Sequence, residues 1–343
     1  MKSLITSLFV CVAASGMAQH YPTIGHVVRD DPRLNALLPE NAQIEVLASG
    51  FDWTEGPVWV KGTGNTPGYL LFSDVPNNVI HRWTEKSGVQ VFLKPSGYTG
   101  LGTYSNEPGS NGLTIDRQGR LIACEHGDRR ISAMPLNKPG GKITLADRCQ
   151  GKRFNSPNDV VAHSNGSYYF TDPPYGLPKH DTDPSRETKL FGVYRIDPEG
   201  EVTVAIADLV RPNGVALSPD QKTLYVAQSD EKQPVILAYP ILPDGTVGKG
   251  RLVYNALDLM KRGLKGAPDG LKVDEQGNLW ATGPGGVLVI APDPKGGAGT
   301  LLGRIDPGEA TANCAWGDDG KTLYITADMY LCRIRTNVRG ANW

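Results

Sequence analysis

Six residues able to donate oxygen recur along the 343-residue chain at a spacing of about fifty: Glu55, Asn111, Asn158, Asn213, Asp269 and Asn313. Taken singly, Pro-Asn-Gly and Pro-Asp-Gly are ordinary turn sequences. Their equivalence within a repeat is what points to a site. Glu55, Asn158, Asn213 and Asp269 offer oxygen donors only, with two formal negative charges. That set suits a hard divalent cation, and Ca²⁺ with its roughly 6–8 oxygens fits best. Mg²⁺ and Mn²⁺ stay open because oxygen ligation alone does not separate them. Zn²⁺ is possible too, although it ordinarily recruits His or Cys. Waters or substrate would complete the coordination, as a catalytic metal requires. No G-x-S-x-G elbow occurs, so a serine nucleophile is disfavoured.

The elements that would position these residues follow from the same repeat. Pro212-Asn213-Gly214-Val215-Ala216-Leu217 is followed by a polar turn and then Thr223-Leu224-Tyr225-Val226-Ala227. Asp269-Gly270-Leu271-Lys272-Val273 is followed by Asn278-Leu279-Trp280-Ala281-Thr282 in the same order. Copies run from Glu55-Gly56-Pro57-Val58-Trp59, Asn111-Gly112-Leu113 and Asn158-Asp159-Val160-Val161, and a worn copy from Asn313 through Ala315-Trp316. Six strand-turn-strand units of this length predict an all-β fold, a six-bladed β-propeller. A pair of β-sandwiches is the alternative, but it explains no such period. Phe191–Ile196 and Val235–Tyr239 are expected as third strands, and Ile44–Leu47 as the strand that completes the last blade and closes the ring.

In such a ring each repeat residue lies just before the innermost strand of its blade, so all six gather at one mouth of the central channel. The second strand returns to the same mouth, which brings Asp74, Glu125, His126, Asp172 and Gln228 near it. Trp53 and Trp316 are expected to pack between blades.

Composition agrees. The chain has 41 Gly and 26 Pro, about a fifth of its residues, against an average nearer 12% for the two. With 39% apolar residues it can still bury a core, so the surplus signals turns rather than disorder. Thirty-five basic against 36 acidic residues leave a net charge of −1, which gives no electrostatic reason to bind nucleic acid or an anionic membrane. Residues 1–18 read as a signal peptide, with Lys2 before an apolar run and small residues at Gly16 and Ala18, so a periplasmic or secreted protein is expected. Residues 19–41 would be an N-terminal extension and 42–343 the propeller. After cleavage no membrane-spanning run remains, and Cys124, Cys149, Cys314 and Cys332 could form disulfides in an oxidising compartment, by any of three pairings. Oligomeric state is not legible.

The Glu55-Gly56-Pro57, SPNDVV, RPNGVALS and PDGL segments resemble the senescence-marker-protein/gluconolactonase/luciferin-regenerating-enzyme family over roughly residues 42 to 336. Ala123-Cys124-Glu125-His126-Gly127 and Thr171-Asp172-Pro173-Pro174-Tyr175-Gly176-Leu177 resemble its bacterial gluconolactonase branch. The resemblance implies a six-bladed propeller with one divalent cation, commonly Ca²⁺, held by Glu55, Asn158, Asn213 and Asp269. It implies a sugar lactone as the small-molecule partner and lactone hydrolysis as the reaction. Animal members carry an Arg two residues before the Asn that matches Asn158; here that position is Ser156.

Lactone opening needs a polarised carbonyl, an activated water and a proton for the ring oxygen. A metal can supply the first two, and a carboxylate can act as base. Asp269 is expected to be both ligand and base, with His126 the second candidate because neutral imidazole suits that role. Asn111, Glu125, Tyr175 and Arg129 are expected to contact substrate. The polar stretch Lys179 to Lys189 is a specificity lid or a solvated loop. Two other functions use the same scaffold: a phosphotriesterase-like metal hydrolase, and a non-catalytic propeller that binds carbohydrate or protein.

Overall fold

The computed structural model describes residues 20–64, 66–341 and 343. The signal sequence expected over residues 1–18 lies outside them. Six antiparallel sheets form six blades, each a meander running outward from the channel. Blade 1 comprises Thr54–Val60, Tyr69–Asp74, Val79–Thr84 and Gly88–Leu93. The inner strands of blades 2 to 6 are Ser110–Ile115, Val160–Ala162, Pro212–Leu217, Leu271–Val273 and Thr311–Gly317. Phe191–Ile196 and Val235–Pro240 are third strands, as the repeat required.

The ring closes through the N-terminus. Ile44–Ser49 pairs with Tyr330–Arg335 as the outer strand of blade 6, with Leu331 opposite Ala48 and Cys332 opposite Val46. Hydrogen bonds between the two ends of the chain therefore lock the circle, leaving no inner edge open. The extension before residue 42 is not separate from the propeller. Thr23–Ile24 adds an outermost strand to blade 6, and His26–Arg29 adds one to blade 5 against Thr300–Asp306. Alternation in His26–Arg29 is too short to have announced a strand.

Between blades the core is a series of apolar seams. Tyr169, Val193 and Ile206 of blade 3 pack on Val215, Val226 and Tyr239 of blade 4, all buried. Each such side chain contributes about 1.5–3 kcal/mol. Trp316 packs edge-on against Trp280 across the blade 5–6 seam, ring centroids 5.3 Å apart, as expected for an inter-blade residue. Among the described residues the four cysteines, Cys124, Cys149, Cys314 and Cys332, are buried and free. Cys314 and Cys332 share a seam but sit two strands apart, roughly 10 Å across the sheet, too far for a disulfide. Among the described residues no helix is long and apolar enough to cross a membrane.

Candidate active site

The repeat residues are aimed by a shared irregularity. Inner strands of four blades shift register where the Asx/Glu-Gly pair or its counterpart stands: between Glu55 and Val58, Ser110 and Leu113, Pro212 and Val215, and Thr311 and Asn313. Such a bulge bends the strand and re-aims a side chain, here toward the channel axis. A glycine after the donor lets the next blade close in: a β-carbon on Gly56 would stand 2.1 Å from the carbonyl oxygen of Asn111. Hydroxyls on the second strands then fasten each blade to its neighbour. Ser73 Oγ donates to the Asn111 carbonyl at 2.9 Å, Thr171 Oγ1 to that of Asn213 at 2.6 Å, and Thr282 Oγ1 to that of Ala312 at 2.8 Å.

Glu55, Asn111, Asn158, Asn213 and Asp269, from five different blades, line one cavity of about 350 Å³ at the channel mouth. That size lies within the range of small-molecule sites. Trp53, Glu107, Tyr175, Ser229 and Thr311 complete much of its wall. Asn313, the sixth repeat residue, is one layer deeper. Its Nδ2 donates to Glu55 Oε2 at 3.2 Å, and its Oδ1 accepts from Lys272 Nζ at 3.2 Å.

The cavity gathers acceptors that have no donors. Oδ1 of Asn111, Asn158, Asn213 and Asp269 are all buried without a hydrogen-bond partner. Unpaired buried oxygens cost about 1–3 kcal/mol each, so four at one mouth need a common explanation. The Asn213 carboxamide is held with its oxygen inward, because Nδ2 donates to Ser229 Oγ at 2.9 Å and Ser229 Oγ in turn donates to the Pro268 carbonyl at 2.6 Å. Glu55 Oε2 is satisfied by the Gly56 N–H at 2.8 Å and by Asn313. Two carboxylates and three carboxamide oxygens converging on one space fit a hard divalent cation.

Electrostatics point the same way. Burial, then the negative charges of Glu55, Asp159 and Glu107, raise the Asp269 carboxyl well above its ordinary value. Burial likewise raises Glu55, with the charge of Asp159 adding to it. Asp159 is itself buried and raised by desolvation, against which Lys272 acts. Crowded carboxylates of this kind ionise together only when a positive charge joins them. Burial also pushes Glu107 up to about 7 and the Tyr175 phenol up to about 12.

Three expected site residues are elsewhere. His126 does not line the cavity. It is buried behind Glu107, its Nδ1 3.1 Å from the Glu107 carbonyl and 3.8 Å from the Glu107 carboxylate, and Gly176 closes over it so tightly that a β-carbon there would lie 2.4 Å from its own. Burial lowers its pKa to about 4, so it is neutral near pH 7. Glu125 is fully buried in an ion-pair cluster, bonded to Arg130 Nε at 2.6 Å, Lys142 Nζ at 2.7 Å and Ser132 Oγ at 2.5 Å. It has no oxygen left for a substrate. Arg129 is buried away from this cavity; its Nε donates to the Phe154 carbonyl at 2.7 Å, and it lines a different cavity. The ends of the second strands do return to the mouth side, but their polar groups hold loops. Asp172 accepts from the Asn155 N–H at 2.8 Å, Gln228 from the Val210 N–H at 2.9 Å, and Asp74 from Asn77 Nδ2 at 2.9 Å. Trp53, expected between blades, stands in the cavity wall.

The Lys179–Lys189 stretch is a largely exposed loop, and none of it lines the cavity. Its one-turn helix His180–Thr182 is tied to blade 4, where Arg211 grips Asp181 with both guanidinium arms at 2.5 and 2.6 Å. Ser156, in place of the animal Arg, donates to the Pro173 carbonyl at 2.6 Å and accepts from the Gly176 N–H at 3.0 Å. It thereby fixes the turn that presents Tyr175. Sequence reasoning missed Glu107 and Ser229. Neither is in the repeat: Glu107 stands in the long loop between blades 1 and 2, and Ser229 one residue beyond a second strand. Proximity of Ser229 to the Asx position of its own blade was the available signal.

Residues 53–328 match the family model described as the SMP-30/Gluconolactonase/LRE-like region. A gluconolactonase of Zymomonas mobilis is 42% identical over 325 residues, covering 93% of this chain and 88% of the relative. A pentonolactonase of Haloferax volcanii is 27% identical over 79% of this chain and 80% of its own. Among solved structures, a gluconolactonase of Xanthomonas campestris superposes with a TM-score of 0.76 at 31% identity, covering 94% of this chain and 99% of that one.

Proposed function

The chain belongs to the SMP-30/gluconolactonase/LRE-like family of lactone-hydrolysing enzymes, and from that premise we propose that it opens sugar lactones in a cation-dependent reaction at the five-blade mouth. The observation that carries this is the convergence of four donorless buried oxygens with Glu55 on one cavity. Similarity to a gluconolactonase and a pentonolactonase favours an enzyme over a binding propeller, and a lactone over a phosphotriester.

Glu55, Asn158, Asn213 and Asp269 would hold the cation, with Asn111 as a fifth oxygen or as a contact to a sugar hydroxyl. Ca²⁺ suits these donors best. When bound, it polarises the lactone carbonyl and acidifies water. Asp269 would take the proton of the attacking water as the new C–O bond forms. The ring C–O bond then breaks, and its oxygen needs a proton. Glu107 faces the same cavity, and desolvation of its half-buried carboxyl raises it to about 7, so it can hold that proton. Tyr175, fixed by Ser156 and protonated at any physiological pH, offers a hydroxyl to the sugar. His126 would act through Glu107, by seating its loop. Export remains part of the proposal, on the sequence of residues 1–18 alone.

Acid release from glucono-δ-lactone and pentonolactones, followed with a pH indicator, tests this. Turnover abolished by a chelator and restored by Ca²⁺ is the expected result. Hydrolysis of no lactone across the panel, or turnover indifferent to chelation after exhaustive dialysis, overturns it.

A further inference from the structure

A second cavity of about 550 Å³ opens on the same side of the propeller, outside the mouth, and shares no lining residue with the first. It is walled by the loop carrying Tyr98 and Tyr104, by the blade 2 turn Gly127–Arg130, and by Arg153 and Ser185. Its chemistry is cationic. Arg129 is only 3% exposed, and its guanidinium makes no ion pair among the described residues. Nε donates to the carbonyls of Phe154 and Asn155, and Nη1 to Ser185, while Nη2 has no partner. The Tyr104 hydroxyl, also buried, has none either. Arg153 likewise pairs with no carboxylate; its Nη2 donates to the Asp128 carbonyl at 3.0 Å.

Among the described residues no acid around the cavity forms an ion pair with Arg129 or Arg153. Asp128 accepts from the Thr99 N–H and hydroxyl and sits 3.4 Å from Arg130. Asp147 pairs with Arg148, and Glu187 takes the Arg153 backbone N–H. Arg130 is committed to Glu125. A buried guanidinium without a direct ion-pair partner is costly; Asp172, Asp183 and Glu187 lie near Arg129 but none bonds its guanidinium, and Nη2 is left without an acceptor. Guanidinium forks match planar and tetrahedral oxyanions.

We propose that this cavity is an oxyanion site, in which Arg129, Arg153 and the Tyr104 hydroxyl hold the carboxylate, sulfate or phosphate group of a small anionic ligand. The site is separate from the lactone mouth and stands whether or not the cation reading does.

Calorimetric titration with sulfate, and separately with gluconate, tests it at constant ionic strength. Wild-type protein is compared with Arg153→Met, which is partly exposed and leaves the buried Arg129 network in place, and with Tyr104→Phe. Saturable binding of either anion is expected, weakened about tenfold by Arg153→Met and several-fold by Tyr104→Phe, with lactone turnover unchanged in both variants. Sensitivity to sulfate alone identifies a free inorganic oxyanion, and sensitivity to gluconate identifies a sugar-acid carboxylate. Failure of both anions to saturate at millimolar concentration, or binding of both at equal strength in all three proteins, overturns the proposal.

Discussion

Gly214 touches Asp269 across the blade 4–5 boundary so closely that a β-carbon on the glycine would stand 2.1 Å from the Asp269 carbonyl oxygen. Since Asn213 immediately precedes this glycine, the contact sets the spacing of two cavity oxygens from adjacent blades. It explains the glycine that follows the oxygen donor in four of the six repeats, Gly56, Gly112, Gly214 and Gly270. Gly214→Ala must push the two blades apart by the better part of an ångström. A displacement of that size at a reacting centre costs about 10²-fold in rate. We expect kcat/KM to fall by that order and the melting temperature to drop. Gly141→Ala, where a methyl group meets nothing, should change neither.

Ser229→Ala frees the Asn213 amide. The wild-type hydroxyl accepts from Nδ2 and so fixes which end of the carboxamide faces the cavity. Groups that orient a metal ligand are worth about 10–100-fold in affinity. Ca²⁺ affinity, read by calorimetry on the apo-protein, should weaken by at least about tenfold, while thermal stability without metal stays close to wild type. Equal affinity in the two proteins would mean Asn213 is not a ligand.

Much of this arrangement is legible in the sequence because a propeller repeats itself. The period fixed the number of blades, and the Asx/Glu positions of five blades, Glu55 through Asp269, do line one cavity. Asn313 fails for a local reason: its amide is used to hold Glu55 and its oxygen to receive Lys272. Glu125 and Arg129 follow the second strand of blade 2 to the correct side of the ring, yet a residue at a strand end can turn toward a neighbouring loop as easily as toward the axis. Their partners, Lys142 and Ser185, lie in irregular segments that no periodicity describes. Glu107 is illegible for the same reason. The outer strand His26–Arg29 is chosen by the unpaired edge of Thr300–Asp306, a tertiary property.

His126 gives a pH signature to stability. Burial lowers its pKa from 6.5 to about 4 in the folded protein. Between those values the folded state binds fewer protons than the unfolded chain, so its contribution is present above pH 6.5 and lost as the pH falls toward 4. Its share is on the order of 3 kcal/mol. Denaturant unfolding from pH 7 to pH 4 should show wild type losing more stability than His126→Gln. At pH 7.5 the variant should hydrolyse lactone within about tenfold of wild type, less than the ~10²–10⁴-fold loss expected on removing a general base.

Glu107→Gln addresses the proton for the ring oxygen. The wild-type carboxyl, raised to about 7 by burial, is the donor only while protonated, so activity that depends on it declines as the pH rises through neutrality. Glutamine keeps the size and polarity but cannot transfer a proton. With a positioned acid worth about 10²-fold or more, kcat should fall by that factor with KM little changed, and the decline of wild-type activity above pH 7 should vanish from the variant's profile. A variant whose KM rises while kcat holds would instead make Glu107 a contact that binds the sugar, and the proton would then have to come from water.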